Sequence, residues 1–349
     1  MSCPTLTIDL DLIVSNWRAL DARSACGVET AAVVKADGYG TGAEHIVPAL
    51  RRAGVRTFFV AVAAEGAAVR RAAGPDAEIH VFGGHMDGDA AEIADHALIP
   101  LLNSARQVRR HRGALPGHPF GIQIDSGMNR LGMSCEDFTA LRDIVDEEDI
   151  RLVVSHLACT DDAGNPLNSQ QLATFHAITA GLRVRRSLAA TGGILLGRDY
   201  HFDVTRPGIG LFGGDPFTDG TPVVTLDAPV IQTREIPTGG IVGYGAEWVA
   251  RRPSRIATLA IGYADGLSRA LGGRGASEVW AGDTRCPIVG RISMDLTTVD
   301  VTHVETLPDS LQILNRSQTI DDLAAVAGTI GYEILTGLGG RIRLRYFGG

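Results

Sequence analysis

Aromatic residues are scarce in this chain, at 5% of 349 residues, while glycine reaches 43. That composition suits many tight turns between strands and helices. No apolar run approaches the ~20 residues that span a bilayer, and the opening "MSCPTLTIDLDLIVSNW" has no basic segment ahead of an apolar one. A membrane location and a secretory leader are therefore not expected, and a cytoplasmic protein is. Five cysteines, Cys3, Cys26, Cys135, Cys159 and Cys286, are odd in number and widely spaced, with no CxxC pair. They fit reduced thiols better than a disulfide framework, and no metal site is expected. The formal net charge is −8 with scattered basic residues, which argues against a nucleic-acid partner. Internal repeats and low-complexity segments are also missing.

What is present begins with an alternation. From Thr30 to about Gly214, short apolar runs recur: "TAAVVKA", "TFFVAVA", "AEIHVFG", "ALIPLLN", "PFGIQIDSG", "RLVVSHLA", "SLAATG" and "HFDVTRPGIGLFG". Between them lie segments of helical period, such as "GAEHIVPALRRAG", "CEDFTALRDIVDEE" and "NSQQLATFHAITAGL". Continuous apolar strands indicate a buried parallel sheet. Eight such units in about 200 residues suit a (β/α)₈ barrel. A doubly wound open sheet is the main rival, but "KADGYGTG" lacks the G-x-G-x-x-G spacing that normally follows its first strand. After Gly214 the chain reads as a mostly β domain, interrupted by a helical pair in "TIDDLAAVAGTIGYEILTGL". The expected domains are a barrel over 10–222 and a C-terminal β domain over 223–349. The strand at 4–9 is expected either to pair with the barrel or to join the C-terminal domain.

In a barrel of this type, functional groups sit at the C-terminal ends of the strands. Those ends carry Lys35, Arg130, His156, Thr191 with Gly192, and Arg206, with Asp125 and Asp203 as the chief acids. Each has an ordinary reading: Lys35 can snorkel to water, His156 can be a satisfied core histidine, and Arg130 a surface cation. Together they describe an electropositive mouth suited to an anion. The glycine-rich "ATGG" and "RPGIG" follow strands seven and eight, where such barrels bind phosphate. A phosphate beside a strand-end lysine and an arginine suggests pyridoxal phosphate, with the lysine supplying a Schiff base and the arginine facing the pyridine nitrogen.

Six motifs, "AVVKADGYGTGA", "DSGMNRLGM", "SHLACTDD", "FDVTRPGIGLFG", "IGYADG" and "VGRISMD", stand in the order found in alanine racemases. The chain resembles that family over nearly its whole length. The resemblance implies a pyridoxal 5'-phosphate-dependent amino-acid racemase acting on a small-molecule substrate. It also implies a (β/α)₈ barrel followed by a β domain, in a head-to-tail homodimer whose active sites are shared. By the same resemblance Lys35 is the Schiff-base lysine and one catalytic base, and Tyr263 from the partner chain is the other. Arg206 faces the pyridine nitrogen and His156 supports Arg206 and Tyr263. Arg130 contacts the cofactor's phenolic oxygen and belongs with the substrate contacts. Tyr39, Thr191, Gly208 and Ile209 line the phosphate, and Met294 and Asp295 of the partner chain lie near the substrate carboxylate. Read without the resemblance, Tyr263 is a buried aromatic, Met294 a core filler and Asp295 a turn cap.

The chain also departs from the family. Gln123 stands where many members carry a carbamylated lysine; its neutral carbonyl can accept from Arg130 only more weakly than a charged group, so Arg130 is expected to be less tightly held. An anion replacing the carbamate stays open. Ala190 loses an amide common in the phosphate loop. Gly340 aligns with a tyrosine of some members, and Leu267 replaces a common aromatic, so a roomier pocket is expected. A serine, basic or broad-specificity racemase stays open for that reason. A related decarboxylase and a non-catalytic cofactor-binding protein are the remaining alternatives. Whether the product serves cell-wall synthesis or a specialised pathway is also open.

Overall fold

The computed structural model describes residues 3–141 and 148–349, and of residues 274–276 the backbone alone. The chain divides into two compact units. One holds Ile13–Gly220, and the other joins the residues up to Leu12 with Thr221–Gly349.

The first unit is an eight-stranded parallel barrel. Its first strand is split into Glu29–Thr30 and Ala32–Val33. Six more follow at Thr57–Val60, Glu78–Val81, Ile99–Leu102, Phe120–Gln123, Ile150–Val154 and Arg186–Ser187, and the eighth is Val204–Thr205. Seven pair in sequence order, and the eighth pairs in parallel with Glu29–Thr30. Ala31 N donates to Thr205 O, Val33 N to Pro207 O, and Arg206 N to Ala189 O, which closes the ring. All eight apolar runs read from the sequence fall on these strands. The Thr57, Ile99 and Phe120 strands are buried along their whole length, as expected where helices cover one face and barrel side chains fill the other. A Cβ on Gly121 would meet Leu101 Cδ2 at 2.5 Å and Leu152 O at 2.7 Å, so only glycine lets these strands pack. The Ala43–Ala53 helix ends on Gly54 at φ 114, where the left-handed cap returns its N–H to Leu50 and Arg51 carbonyls. The helix expected over 135–148 is described as Cys135–Ala140, and residues 142–147 lie outside the described residues.

The second unit is mostly antiparallel sheet, as expected. Its strands run in the order Ser254–Leu259, Thr297–Asp300, Thr284–Gly290, Gly273–Ala281, Ser310–Leu314, Val224–Ile236, Thr5–Asp9, Arg343–Phe347. An irregularity between Val230 and Gln232 bends the long strand so that its second half pairs with Ser254–Leu259 and closes six strands on themselves. Thr5–Asp9 pairs antiparallel with Val224–Ile236 and parallel with Arg343–Phe347. The expected helical pair appears as Ile320–Ala327 and Gly331–Gly337. Thr319 and Asp322 cap the first of these reciprocally.

Candidate active site

Lys35 follows the first barrel strand, and the backbone behind it is left-handed. Ala36, Asp37, Gly38 and Tyr39 have φ of 52°, 52°, 63° and 59°. Three of these are not glycine, and each costs roughly 1–2 kcal/mol in that conformation. Neighbouring bonds hold the turn. Glu65 accepts from Ala36 N at 2.9 Å and Ala61 N at 2.8 Å, and Asp37 accepts from Ala43 N at 2.8 Å. Tyr39 is buried with its ring 5.0 Å from that of Phe212. Strain of this kind persists only where the surroundings over-determine it.

Lys35, Gln123, Arg130, His156 and Arg206 line one cavity of about 130 Å³, with Ser155 and Val154 at its wall. Arg206 is buried and donates from Nη1 to Ser187 O at 3.0 Å and Ser187 Oγ at 2.6 Å, and from Nη2 to Ser155 O at 2.7 Å. Burial lowers its pKa to about 10, so it stays cationic at neutral pH. Burial, followed by the charges of Arg206, Arg130 and Lys35, pushes His156 down to about 3 and keeps its imidazole neutral. The Lys35 ammonium is lowered by burial and then by Arg130, with Glu65 opposing.

Thr191 Oγ1 accepts from Gly208 N at 3.1 Å and Gly210 N at 3.3 Å, drawing the two glycine-rich loops together. A Cβ on Gly208 would stand 2.1 Å from the Tyr39 hydroxyl. Ile209 is buried beside it. Lys35, Tyr39, Arg130, His156, Thr191, Arg206, Gly208 and Ile209 therefore all lie at the C-terminal end of the barrel.

One expectation for this end needs correcting. Asp203 precedes the eighth strand and accepts from Arg186 N at 2.8 Å, at the opposite end of the barrel. The acid that acts on Lys35 is Glu65, which sits on the Ala63–Ala73 helix and carries no motif. Gln123 and Arg130 make no hydrogen bond to each other among the described residues. The Gln123 amide donates instead to Leu131 O at 3.3 Å, and Asp125 holds the intervening turn through Gly127 N and Met128 N.

In the second unit, Tyr263, Met294 and Asp295 come together. Tyr263 N donates to Ser293 O at 3.1 Å and Ala264 N to Met294 O at 3.0 Å. Gly262 permits this approach, since a Cβ there would lie 2.3 Å from Ser293 O. Tyr263 is 44% exposed and Met294 53%, so neither is the core residue that its type alone suggests. Sequence reading missed Arg341. Its Nε reaches Asp265 Oδ1 at 2.8 Å and its Nη1 reaches Asp295 Oδ1 at 2.7 Å, and the two carboxylates raise its pKa further. Leu267 is buried within this unit. At Gly340 a Cβ would meet nothing within 4 Å.

The family models for the alanine racemase N-terminal domain and C-terminal domain match residues 8–216 and 223–346. The chain belongs to the alanine racemase family. It is 55% identical over 349 residues to the alanine racemase of Dinoroseobacter shibae, covering 100% of this chain and 99% of that one. It is 42% identical to that of Rhizobium meliloti, covering 99% and 97%. Among solved structures, the Bartonella henselae alanine racemase with covalently bound pyridoxal phosphate superposes with a TM-score of 0.93 at 37% identity, over 99% of this chain and 100% of that one. The biosynthetic alanine racemase of Pseudomonas aeruginosa gives 0.90 at 33% identity, over the full length of both.

Proposed function

We propose that this protein is a pyridoxal-phosphate-dependent isomerase that interconverts L- and D-alanine. The observation that carries the reading is the meeting of Lys35, Arg130, His156 and Arg206 around one cavity at the C-terminal end of the barrel, in a member of this family. The residues present fit the cofactor. Three cationic side chains, Lys35, Arg130 and Arg206, line the cavity and suit a phosphate-bearing ring, and the glycine-rich loops drawn together by Thr191 lie at the same end of the barrel. Among the described residues no helix is long and apolar enough to cross a membrane.

When bound, pyridoxal phosphate supplies a carbonyl that an amine can link to and a ring that accepts the electron pair released when the Cα proton leaves. The chain's own residues do the rest. Lys35, with its proton loosened by burial and by Arg130, holds the cofactor and exchanges a proton at Nζ on one face of the substrate. Tyr263 of the partner subunit does the same through its phenol oxygen on the opposite face, and inversion needs both. The exposure of its ring supports this role. Arg206 offers only N–H donors and gives up no proton. His156 remains neutral and backs Arg206. Arg130 contacts the ring oxygen and the substrate. Tyr39, Thr191, Gly208 and Ile209 hold the phosphate. Met294 of the partner subunit and Asp295 of the partner subunit border the substrate carboxylate. In this reading 10–222 is the cofactor domain, 223–349 with strand 4–9 is the second domain, and a head-to-tail homodimer works in the cytoplasm. Glycine at 340, where some family members carry a tyrosine, favours a side chain larger than a methyl as a secondary substrate.

The test uses purified protein with added pyridoxal phosphate. Borohydride should abolish the visible absorbance and leave the label on Lys35. L-alanine should give D-alanine with solvent deuterium at Cα, faster than serine, lysine or arginine is inverted. Failure to invert any amino acid would overturn the activity, and strict preference for alanine would remove the secondary-substrate reading.

A further inference from the structure

The Pro166–Thr179 helix buries one face, and on it stand Asn168, Gln171, Phe175 and Ile178. Helical spacing predicts apolar side chains at all four, yet two are carboxamides. Gln171 is 0% exposed. Its Oε1 accepts from Ala158 N at 2.8 Å, and its Nε2 donates to His156 O at 2.9 Å and Ser126 Oγ at 3.2 Å. Ser126 Oγ in turn meets Ser155 Oγ at 2.8 Å. One amide therefore grips the backbone on both sides of residue 157 and ties the loop after the fifth strand to the loop after the sixth.

That backbone is gripped from inside as well, since Arg206 Nη2 donates to Ser155 O. The carbonyls of residues 155 and 156 thus serve a guanidinium on the cavity side and a carboxamide on the helix side. The His156 ring leaves the chain between these two anchors. Only a group with one acceptor and two donors satisfies this arrangement. An apolar replacement leaves Ala158 N and His156 O buried without partners.

We infer that Gln171 is a positioning residue for the racemase reaction: it fixes the His156 imidazole and, through Ser155, the Arg206 guanidinium. The inference rests on the proposed function for its catalytic consequence, though not for the clamp itself. Because His156 and Arg206 act on the cofactor and not on the amino-acid side chain, loss of Gln171 lowers turnover and leaves substrate KM in place.

The experiment compares the full-length wild type with Gln171→Leu, Gln171→Glu and Phe175→Leu, the last a destabilising control on the same helix outside the polar network. Gln171→Leu is expected to lower kcat for alanine about tenfold or more, as small misplacements at an active site do, with KM within about twofold, and to shift the visible absorbance of bound pyridoxal phosphate. The Gln171→Glu carboxyl keeps the acceptor and, only when protonated, one of the amide's two donors, and burial favours that form. Its kcat relative to wild type should therefore rise as pH falls from 8 to 6. Hydrogen exchange at residues 156–160 of the cofactor-free protein should quicken in Gln171→Leu and stay as in wild type in Phe175→Leu. Unchanged kcat and absorbance in Gln171→Leu would overturn the inference. If the wild type inverts no amino acid, the proposed function fails by itself. Exchange and cofactor absorbance then decide the clamp, and wild-type values for both in Gln171→Leu would sink it.

Discussion

His85 and His111 face each other Nδ1 to Nδ1 at 3.0 Å, both buried in the barrel unit. His111 Nε2 lies 3.1 Å from His118 O and must donate there. Its Nδ1 is then the acceptor, and His85 Nδ1 the donor. A proton added to His111 sets two N–H groups against each other. Burial pushes His111 down to about 4, against the small opposing pull of the His118 carbonyl, and lowers His85 as well.

The consequence for stability has a definite sign. The unfolded His111 takes a proton near pH 6.5, while the folded one resists until about 4. Its contribution is present above pH 6.5 and is lost as pH falls through that window, at up to about 1.4 kcal/mol per pH unit. The urea midpoint is expected to drop between pH 6.5 and 4, and His111→Gln, which keeps a donor and an acceptor, should flatten the drop. Parallel curves for the two proteins would contradict it.

Gly208 and Tyr39 exclude any side chain at 208, since the added Cβ would lie 2.1 Å from the phenol oxygen. Gly208→Ala is expected to weaken pyridoxal phosphate binding by roughly tenfold, in line with the ~1–3 kcal/mol cost of overpacking. Adding Tyr39→Phe removes the clashing oxygen and should recover part of the loss. A fluorescence titration with cofactor reads both steps.

Tyr263→Phe removes only the phenol oxygen of an exposed ring, so the fold should be unchanged. Deuterium exchange at Cα should fall by about 10²-fold or more for one enantiomer of alanine and persist for the other, because one base remains. Equal losses for both enantiomers would show that the residue does not act on a single face.

Arg341 ties Asp265 to Asp295 across two loops. Asp295 is exposed but Asp265 is buried, so Arg341→Gln removes the cation from a buried carboxylate and should lower the melting temperature measurably. Racemisation should suffer as well, with kcat/KM down by about tenfold through the freed Tyr263 and Asp295 loops. Arg341→Lys should not restore it, because a single ammonium does not reproduce the two-pronged fork. Steady-state kinetics beside thermal melts would separate the two effects.

Much of the barrel was legible because its strands are buried on both faces and read as unbroken apolar runs; the Thr57, Ile99 and Phe120 strands are the clearest. The strand-end rule then located Lys35, Arg130, His156, Thr191 and Arg206 together, and order of motif supplied Tyr263. What stayed hidden depends on long-range partners. Glu65 is one acid among several on exposed helices until Ala36 and Ala61 reach it. Asp203 read as a mouth residue because it adjoins a strand, but it stands before that strand. Nothing local marks Ala36, Asp37 and Tyr39 as left-handed, since only Gly38 between them favours that region. Gln171 looks like its exposed neighbour Gln170, and only helix phase distinguishes them.

The way both units close has a bearing on synthesis. On a chain made from its N-terminus, residues 29–33 emerge with one edge bare and keep it so until 204–207 arrive to seal the ring. The wait is longer for Thr5–Asp9, whose flanking strands are Val224–Ile236 and Arg343–Phe347. A strand made well before both of its neighbours is thus among the last to be paired on both sides, and an unpaired edge is a template for unwanted association.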